Sequence, residues 1–229
     1  MYNPTIRFGN WYTSFMNTEK IYKLESSLIP LYKEHEKDLL FHGWHHISFV
    51  RNKAKKFAET IGADDFLVES AALVHDINYI VAKNSEPEAG TKMRQEHLRN
   101  AGYTENEIER LEQIVLEEHT GTRDANISPE GKALSDADTL FKALPITPIL
   151  FASKYIQENS IDISKLAEKV CSEQNRLMEA GFYFYTDVAK EMYLNWAKTN
   201  LELWSNVQSC LQDSDVNEML RIAKESEVI

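Results

Sequence analysis

The residues best suited to chemistry sit side by side in Leu73-Val74-His75-Asp76-Ile77, after the apolar run Ala71-Ala72. Neighbours on a helix point about 100° apart, at about 3.6 residues per turn. An imidazole and a carboxylate on adjacent residues can therefore meet only at a point just off the helix surface. A bound metal ion is such a point. Nitrogen plus carboxylate oxygen suits Mn, Fe, Zn or Co better than Ca. An isolated pair of this kind is more often a buried histidine beside a capping aspartate. Histidines on inward faces elsewhere, and a second acidic dyad at Asp136 and Asp138, turn the balance toward a metal.

The elements that must position these groups read as helices. A helix over about 43–61 carries Phe49, Val50, Ala54, Phe57 and Ala58 on one face and ends at Gly62. Stepping back by four from Val50 gives His46 and then His42, so both share the inward face. His45 shares its stripe with Asn52 and Lys56 and belongs at the rim. Asp64 or Asp65 can cap a helix from Phe66 to about Ile77 that is apolar almost all round, and such a helix is buried on all sides. Residues 78–90 read as a loop, and a helix ending near Asn100 carries His97. Thr104 and Glu107 form a capping box for a helix with Ile108, Leu111, Val115 and His119 on one stripe. Ser128-Pro129 opens another helix, with Leu134, Asp138 and Phe141 on one face. An aspartate between core residues is costly without a partner. Asp136 falls off that face and is expected at the surface. Beyond Pro145 and Pro148, helices are expected over about 149–158, 163–180, 184–209 and 214–226. That half has no histidine and offers no metal-type residue to the reading, though it is rich in aromatic rings. Ordinary core packing is the default role for those rings; completing the pocket and forming a homodimer surface are the alternatives. Residues 1–18 (Tyr2, Phe8, Trp11, Tyr12, Phe15) read as an irregular arm, followed by a helix over 19–39 that Pro30 should break or kink.

His46, His75, Asp76, His97, His119 and Asp138 thus come from successive helices. After the His-Asp pair the gaps are about one helix plus a turn, which lets each helix of a bundle drop one side chain into a shared pocket. The pattern resembles the HD-domain metal-dependent phosphohydrolases, an all-helical superfamily with the signature His…His-Asp…Asp. The resemblance covers about residues 38–145. His42-Gly43-Trp44-His45-His46 with Val50 is similar to that family's His-Asn-x-x-His-x-x-x-Val segment, Leu73-Val74-His75-Asp76-Ile77 to its name-giving motif, and Ser135-Asp136-Ala137-Asp138 to its last-aspartate segment.

The resemblance implies a metal held by His46, His75, Asp76 and Asp138. It implies a second metal, joined by His97 and His119 with Asp76 bridging, as in relatives that hold two ions. The cofactor is then one or two divalent ions among Mn, Fe, Co, Zn and Mg. Relatives use the first histidine as general acid, which gives His42 that part beside Asp76; simple packing at the helix start is the competing role for His42. The sequence departs from the family at Asn78-Tyr79, where many relatives have Gly followed by Lys or Tyr, and at Gly43, where Asn is common. No basic residue directly follows the motif. Lys83, Arg94, Arg123 and Lys142 are the candidates for phosphate contact.

Composition bounds the partners. The 229 residues hold 43% hydrophobic side chains, enough for a sizeable core, with only 8 Gly and 6 Pro. The expected fold class is all-α: an N-terminal arm and helix over 1–37, an HD-like metal-binding bundle over 38–145, and additional C-terminal helices of the same domain over 146–229. A net charge of −11 argues against polymeric nucleic acid, whereas a small phosphorylated substrate remains compatible because a metal supplies local positive charge. The start of the chain lacks a basic-then-apolar signal, no apolar run approaches about 18 residues, and the two cysteines are far apart. A cytoplasmic protein without a membrane span is expected. The leading function is hydrolysis of a phosphate ester of a nucleotide or other small molecule. The alternatives are an HD-type di-iron oxygenase acting on a polyol or phosphonate, and a non-catalytic ligand-binding regulatory domain.

Overall fold

The structure, a computed structural model, describes residues 5–228, and all regular elements among them are helical. The first helix, α1 (Thr5–Glu34), stacks Leu24, Leu28 and Tyr32 into the core at intervals of four. The aromatic residues of 1–18 predict an irregular arm; the backbone is instead helical from Thr5. Tyr2 and the side chains of Phe8, Trp11 and Tyr12 lie outside the described residues, and Phe15 is exposed. The helix also runs straight through Pro30. That proline lies in the penultimate turn, so its missing N–H removes one hydrogen bond near a helix end, where fraying is cheap.

Helix α2 (Trp44–Ile61) buries His46, Ile47, Val50, Ala54, Phe57 and Ala58, and closes on Gly62 in the left-handed conformation at φ +70°. In α3 (Asp65–Val74) every residue from Phe66 to Val74 is buried, and Asp64 caps its start by accepting from Leu67 N at 3.2 Å. The all-round apolar pattern has its physical reason in the packing: α1, α2, α6 and α7 all lie against α3. The segment expected as a loop contains a short helix, α4 (Asn78–Val81), and a 3₁₀ turn over Pro87–Gly90. Helices α5 (Thr91–Ala101) and α6 (Glu105–Glu118) follow, the latter opened by the Thr104–Glu107 capping box. Helix α7 (Pro129–Ala143) starts where Ser128 accepts from Gly131 N at 3.0 Å, and it packs heavily on α2.

The chain then continues as α8 (Thr147–Asn159), α9 (Ile163–Ala180), α10 (Asp187–Cys210) and α11 (Ser214–Glu225). Helix α10 lies against α9, α7 and α2. This explains a departure from the expected surface position of Asp136. Its carboxylate is fully buried and accepts from Tyr185 N at 2.6 Å, Thr186 N at 2.8 Å and Thr186 Oγ1 at 2.6 Å. Helix α7 has neighbours on two sides, and Asp136 faces the one that periodicity does not reveal. Among the described residues no helix is long and apolar enough to cross a membrane.

Candidate metal centre

Three helices deliver the donors. Helix α3 stops at Val74, so His75 and Asp76 occupy the turn at its end, while His46 comes from the first turn of α2 and Asp138 from the middle of α7. His46 Nε2 lies 3.0 Å from Asp76 Oδ2, 3.2 Å from His75 Nε2 and 3.4 Å from Asp138 Oδ1. His75 Nε2 lies 3.2 Å from Asp76 Oδ2. Two atoms each about 2.1 Å from one ion lie about 3.0 Å apart at a right angle and about 3.4 Å apart in a tetrahedron. His46, His75 and Asp76 stand at that spacing from one another, and Asp138 stands at it from His46. His75 Nδ1 donates to Ala72 O at 2.9 Å, which fixes the ring and leaves Nε2 as the ligand nitrogen. His46 is held by packing, its ring centroid 4.6 Å from that of Phe141 and 6.3 Å from that of Phe41.

The electrostatics describe a site that asks for a cation. Asp76 Oδ2 is buried close to two imidazole nitrogens without a well-aligned hydrogen bond from either. Burial works to raise the Asp76 pKa, but His75 and then His46 hold the carboxyl well below the usual carboxylate range. Burial likewise opposes ionisation of Asp138, and Lys142, followed by His46, more than offsets it. Burial pulls His75 down, yet Asp76 outweighs it and pushes the imidazole up to about 9. Burial lowers His46, with Asp76 and Asp138 offsetting only part of it. A proton on His75 therefore balances Asp76, and Lys142 balances Asp138; a bound divalent ion would take the place of the first. The donor set fits such an ion, with neutral imidazole and carboxylate ligands typical of Mn, Fe, Co or Zn.

The cluster opens on a cavity of about 320 Å³, within the range of small-molecule sites. His42, Lys142, Glu118 and His119 line its metal end. Lys142 Nζ donates to Asp138 Oδ2 at 2.6 Å; burial lowers its pKa, but Asp138 and Glu118 overcompensate and hold the ammonium above its usual range. Buried Arg123 donates to Glu118 O and Ser135 O, and its guanidinium lies 4.0 Å from Asp138 Oδ2. The ring of His42 stacks on Tyr79 with centroids 3.9 Å apart and planes 11° apart. Its Nδ1 donates to Glu158 Oε1 of α8.

The other candidate residues distribute differently. His119 ends α6 and reaches the cavity wall, its Nε2 3.4 Å from Glu86 Oε2. His97 is not brought to the cavity: α5 packs on α1, and His97 Nδ1 lies 3.0 Å from Ser27 Oγ. Arg94 is wholly buried between α5 and α6, its Nε donating to Glu112 Oε1 at 2.9 Å, and it does not reach the cavity. Lys83 is exposed and outside the cavity lining. Two buried acids were not picked out from sequence. Glu118 is pushed up to about 8 by burial and then by the like charge of Asp138. Its neighbourhood with His119 on an amphipathic helix was the available signal. Glu158, the one acid of α8, carries no such signal, since its place at the helix end among Gln157 and Asn159 reads as a solvated polar terminus.

Comparison with known proteins agrees with this geometry. Residues 43–142 match the family described as HD domain. The chain resembles crystal structures of YpgQ from Bacillus subtilis, one of them in complex with ADP: TM-score 0.59, 21% identity, covering 88% of this chain and 99% of that one. A Lactobacillus plantarum protein gives a TM-score of 0.62 at 17% identity over 84% of this chain and 97% of its own. At these identities the likeness is one of fold. No curated protein matches the sequence. The segment that matches, residues 43–142, is similar to the HD-domain family and supplies His46, His75 and Asp76 in the arrangement of the HD motif.

Proposed function

We propose that the protein hydrolyses a phosphate ester of a small molecule, a nucleoside phosphate foremost, at a divalent cation held by His46, His75, Asp76 and Asp138. The match of residues 43–142 to the HD family supports a metal-dependent hydrolase at the coarser level. The observation that carries the finer reading is the trio His46, His75 and Asp76 at metal-ligand spacing, with Asp138 3.4 Å from His46, beside a cavity lined by Asp76, Asp138, Lys142 and His42. The bound cation supplies the charge that makes water acidic enough to attack at neutral pH and that offsets the phosphoryl oxygens. Lys142 sits where its ammonium can meet a phosphoryl oxygen, with Asp138 holding it in place. His42 presents Nε2 to the cavity and, in the form with a hydrogen on both ring nitrogens, gives the Nε2 proton to the departing oxygen. Arg123 stays behind the wall and keeps Asp138 and Glu118 from repelling one another unchecked.

The ADP in the YpgQ crystal supports a nucleoside phosphate as the substrate class. The net charge of −11 supports a small substrate over a nucleic acid polymer. The di-iron oxygenase reading requires a second ion gripped by His97 and His119, and the bond between His97 and Ser27 gives it no support. The experiment is metal analysis of the purified protein, followed by phosphate-release assays on a panel of nucleotides and simple phosphate esters with Mn, Co, Fe, Zn or Mg. Metal-dependent phosphate release that Asp138→Asn abolishes is the expected result. Oxygen uptake with iron and no phosphate release from any ester would refute the hydrolase.

A further inference from the structure

We propose that Glu158, which lies outside the segment matching the HD family, is the positioning residue for His42: its carboxylate holds the ring with Nδ1 as donor and turns Nε2 to the cavity. The inference rests on the reading of His42 as proton donor given above.

Glu158 is 3% exposed and near the end of α8. A carboxylate in such a place needs donors. It has three, all from one short segment: His42 Nδ1 on Oε1, and Phe41 N at 2.6 Å with His42 N at 3.2 Å on Oε2. An ionised carboxylate is only an acceptor, so the Nδ1 that meets it must carry its hydrogen. Two independent contacts then define the ring. Tyr79, three residues after Asp76, sets its plane by stacking at 3.9 Å. Glu158 sets which edge points where. A half-turn of the ring would take the N–H off the carboxylate and put a carbon against it, so the ring is locked with Nε2 toward the cavity that His42 lines. Carboxylates that grip the far nitrogen of a working imidazole select its tautomer and orientation in other enzymes.

A purely structural role is the competing account. The two backbone bonds tie the 41–42 segment to α8 whether or not the imidazole works. The two accounts separate in a double-mutant cycle on the full-length, manganese-loaded protein: wild type, Glu158→Gln, His42→Gln and the double variant, assayed with ADP and with p-nitrophenyl phosphate. The Gln variant keeps an acceptor for the backbone but turns its amide N–H to Nδ1, which must then accept. A residue acting only through His42 adds nothing once His42 is gone. We expect Glu158→Gln to lower kcat by about tenfold or more with KM near wild type, within the about 10²–10⁴-fold that the proton transfer itself supplies. The double variant should be no slower than His42→Gln alone. Additive losses would overturn the proposal.

The ring itself supplies a readout that needs no turnover. In protein labelled with ¹⁵N-histidine, the His42 signals, identified by their absence in His42→Gln, should show the Nδ1–H tautomer in the wild type whenever the ring is neutral. Glu158→Gln, whose amide then donates to Nδ1, should shift them to the Nε2–H tautomer. An Nε2–H wild-type ring would refute the positioning even if Glu158→Gln fails to fold. Were His42→Gln as active as the wild type, the proton-donor role would fall, and the ¹⁵N result would still decide whether Glu158 positions the ring.

Discussion

Replacing Asp136 by alanine separates the surface position its spacing predicts from the buried one the structure gives. An exposed aspartate away from any site changes stability by less than about 0.5 kcal/mol when removed. The buried one accepts three hydrogen bonds, two of them from Thr186, which is itself buried and caps α10 by accepting from Ala189 N at 3.2 Å. Without the carboxylate the two Thr186 donors lose their acceptor, at about 1–3 kcal/mol each. Burial pushes the Asp136 carboxyl up to about 6 in spite of its three donors, so desolvation offsets part of what the bonds contribute. The net loss falls toward the lower half of that sum, about 2–3 kcal/mol. For a chain of this size that is a fall in Tm of roughly 4–12 °C. Urea unfolding at pH 7 followed by circular dichroism measures it. The pH dependence is a second readout. The folded pKa lies above that of an unfolded aspartate, so the native state binds the extra proton between about pH 4 and 6. The contribution of Asp136 grows as pH falls through that window and is lost as pH rises through it. The gap between wild type and Asp136→Ala should accordingly be wider at pH 5 than at pH 7. A change below 0.5 kcal/mol at both values would refute the buried, three-donor account.

Four further outcomes are expected. Asp138→Asn should strip the metal during dialysis against a chelator and lose turnover in parallel, with affinity falling beyond the about 10–100-fold that loss of a ligand's hydrogen-bond partner costs. Because His75 holds a proton up to about pH 9, manganese must displace it: calorimetry at pH 7 in buffers of different ionisation enthalpy should show close to one proton released, and affinity should rise with pH by up to about tenfold per unit until pH 9. His97→Ala should leave the metal content of the purified protein unchanged and cost only the contact with Ser27, about 1 kcal/mol in a denaturation curve. Gly90→Ala would put a methyl group 2.7 Å from Asn78 N and 3.0 Å from its Cα, backbone that cannot swing away, so we expect about 1–3 kcal/mol of destabilisation and weaker metal binding two residues from Asp76.

The sequence was most legible where local chemistry decides. Gly62, Gly102, the Thr104–Glu107 box and Ser128-Pro129 end or start helices where their residue types say they should. His46 was found by stepping back along an apolar face, because α2 has a single buried stripe that runs to its first turn. The failures share another cause. Asp136 and His97 depend on which neighbours lie beside a helix, and a periodic pattern reports one dominant face without naming what covers it. Glu158 becomes special only through a contact with Phe41 and His42 more than a hundred positions away. Pro30 carries a strong local rule, yet the position of the helix end weakened it.

The cavity beside the donors has walls from both sides of the family boundary: Asp76, His119 and Asp138 on one, and Tyr155, Gln174 and Trp204 of α8, α9 and α10 on the other. A fragment cut after Pro145 would keep every proposed ligand and Lys142 but lose the opposite bank and Glu158, leaving an ion site with half a pocket. Inheritance could exploit the same seam. Exchanging α9 and α10 between cousins would retarget the pocket while the ion's cradle passed on unaltered, so ancestry traced through the ligands alone would say little about diet.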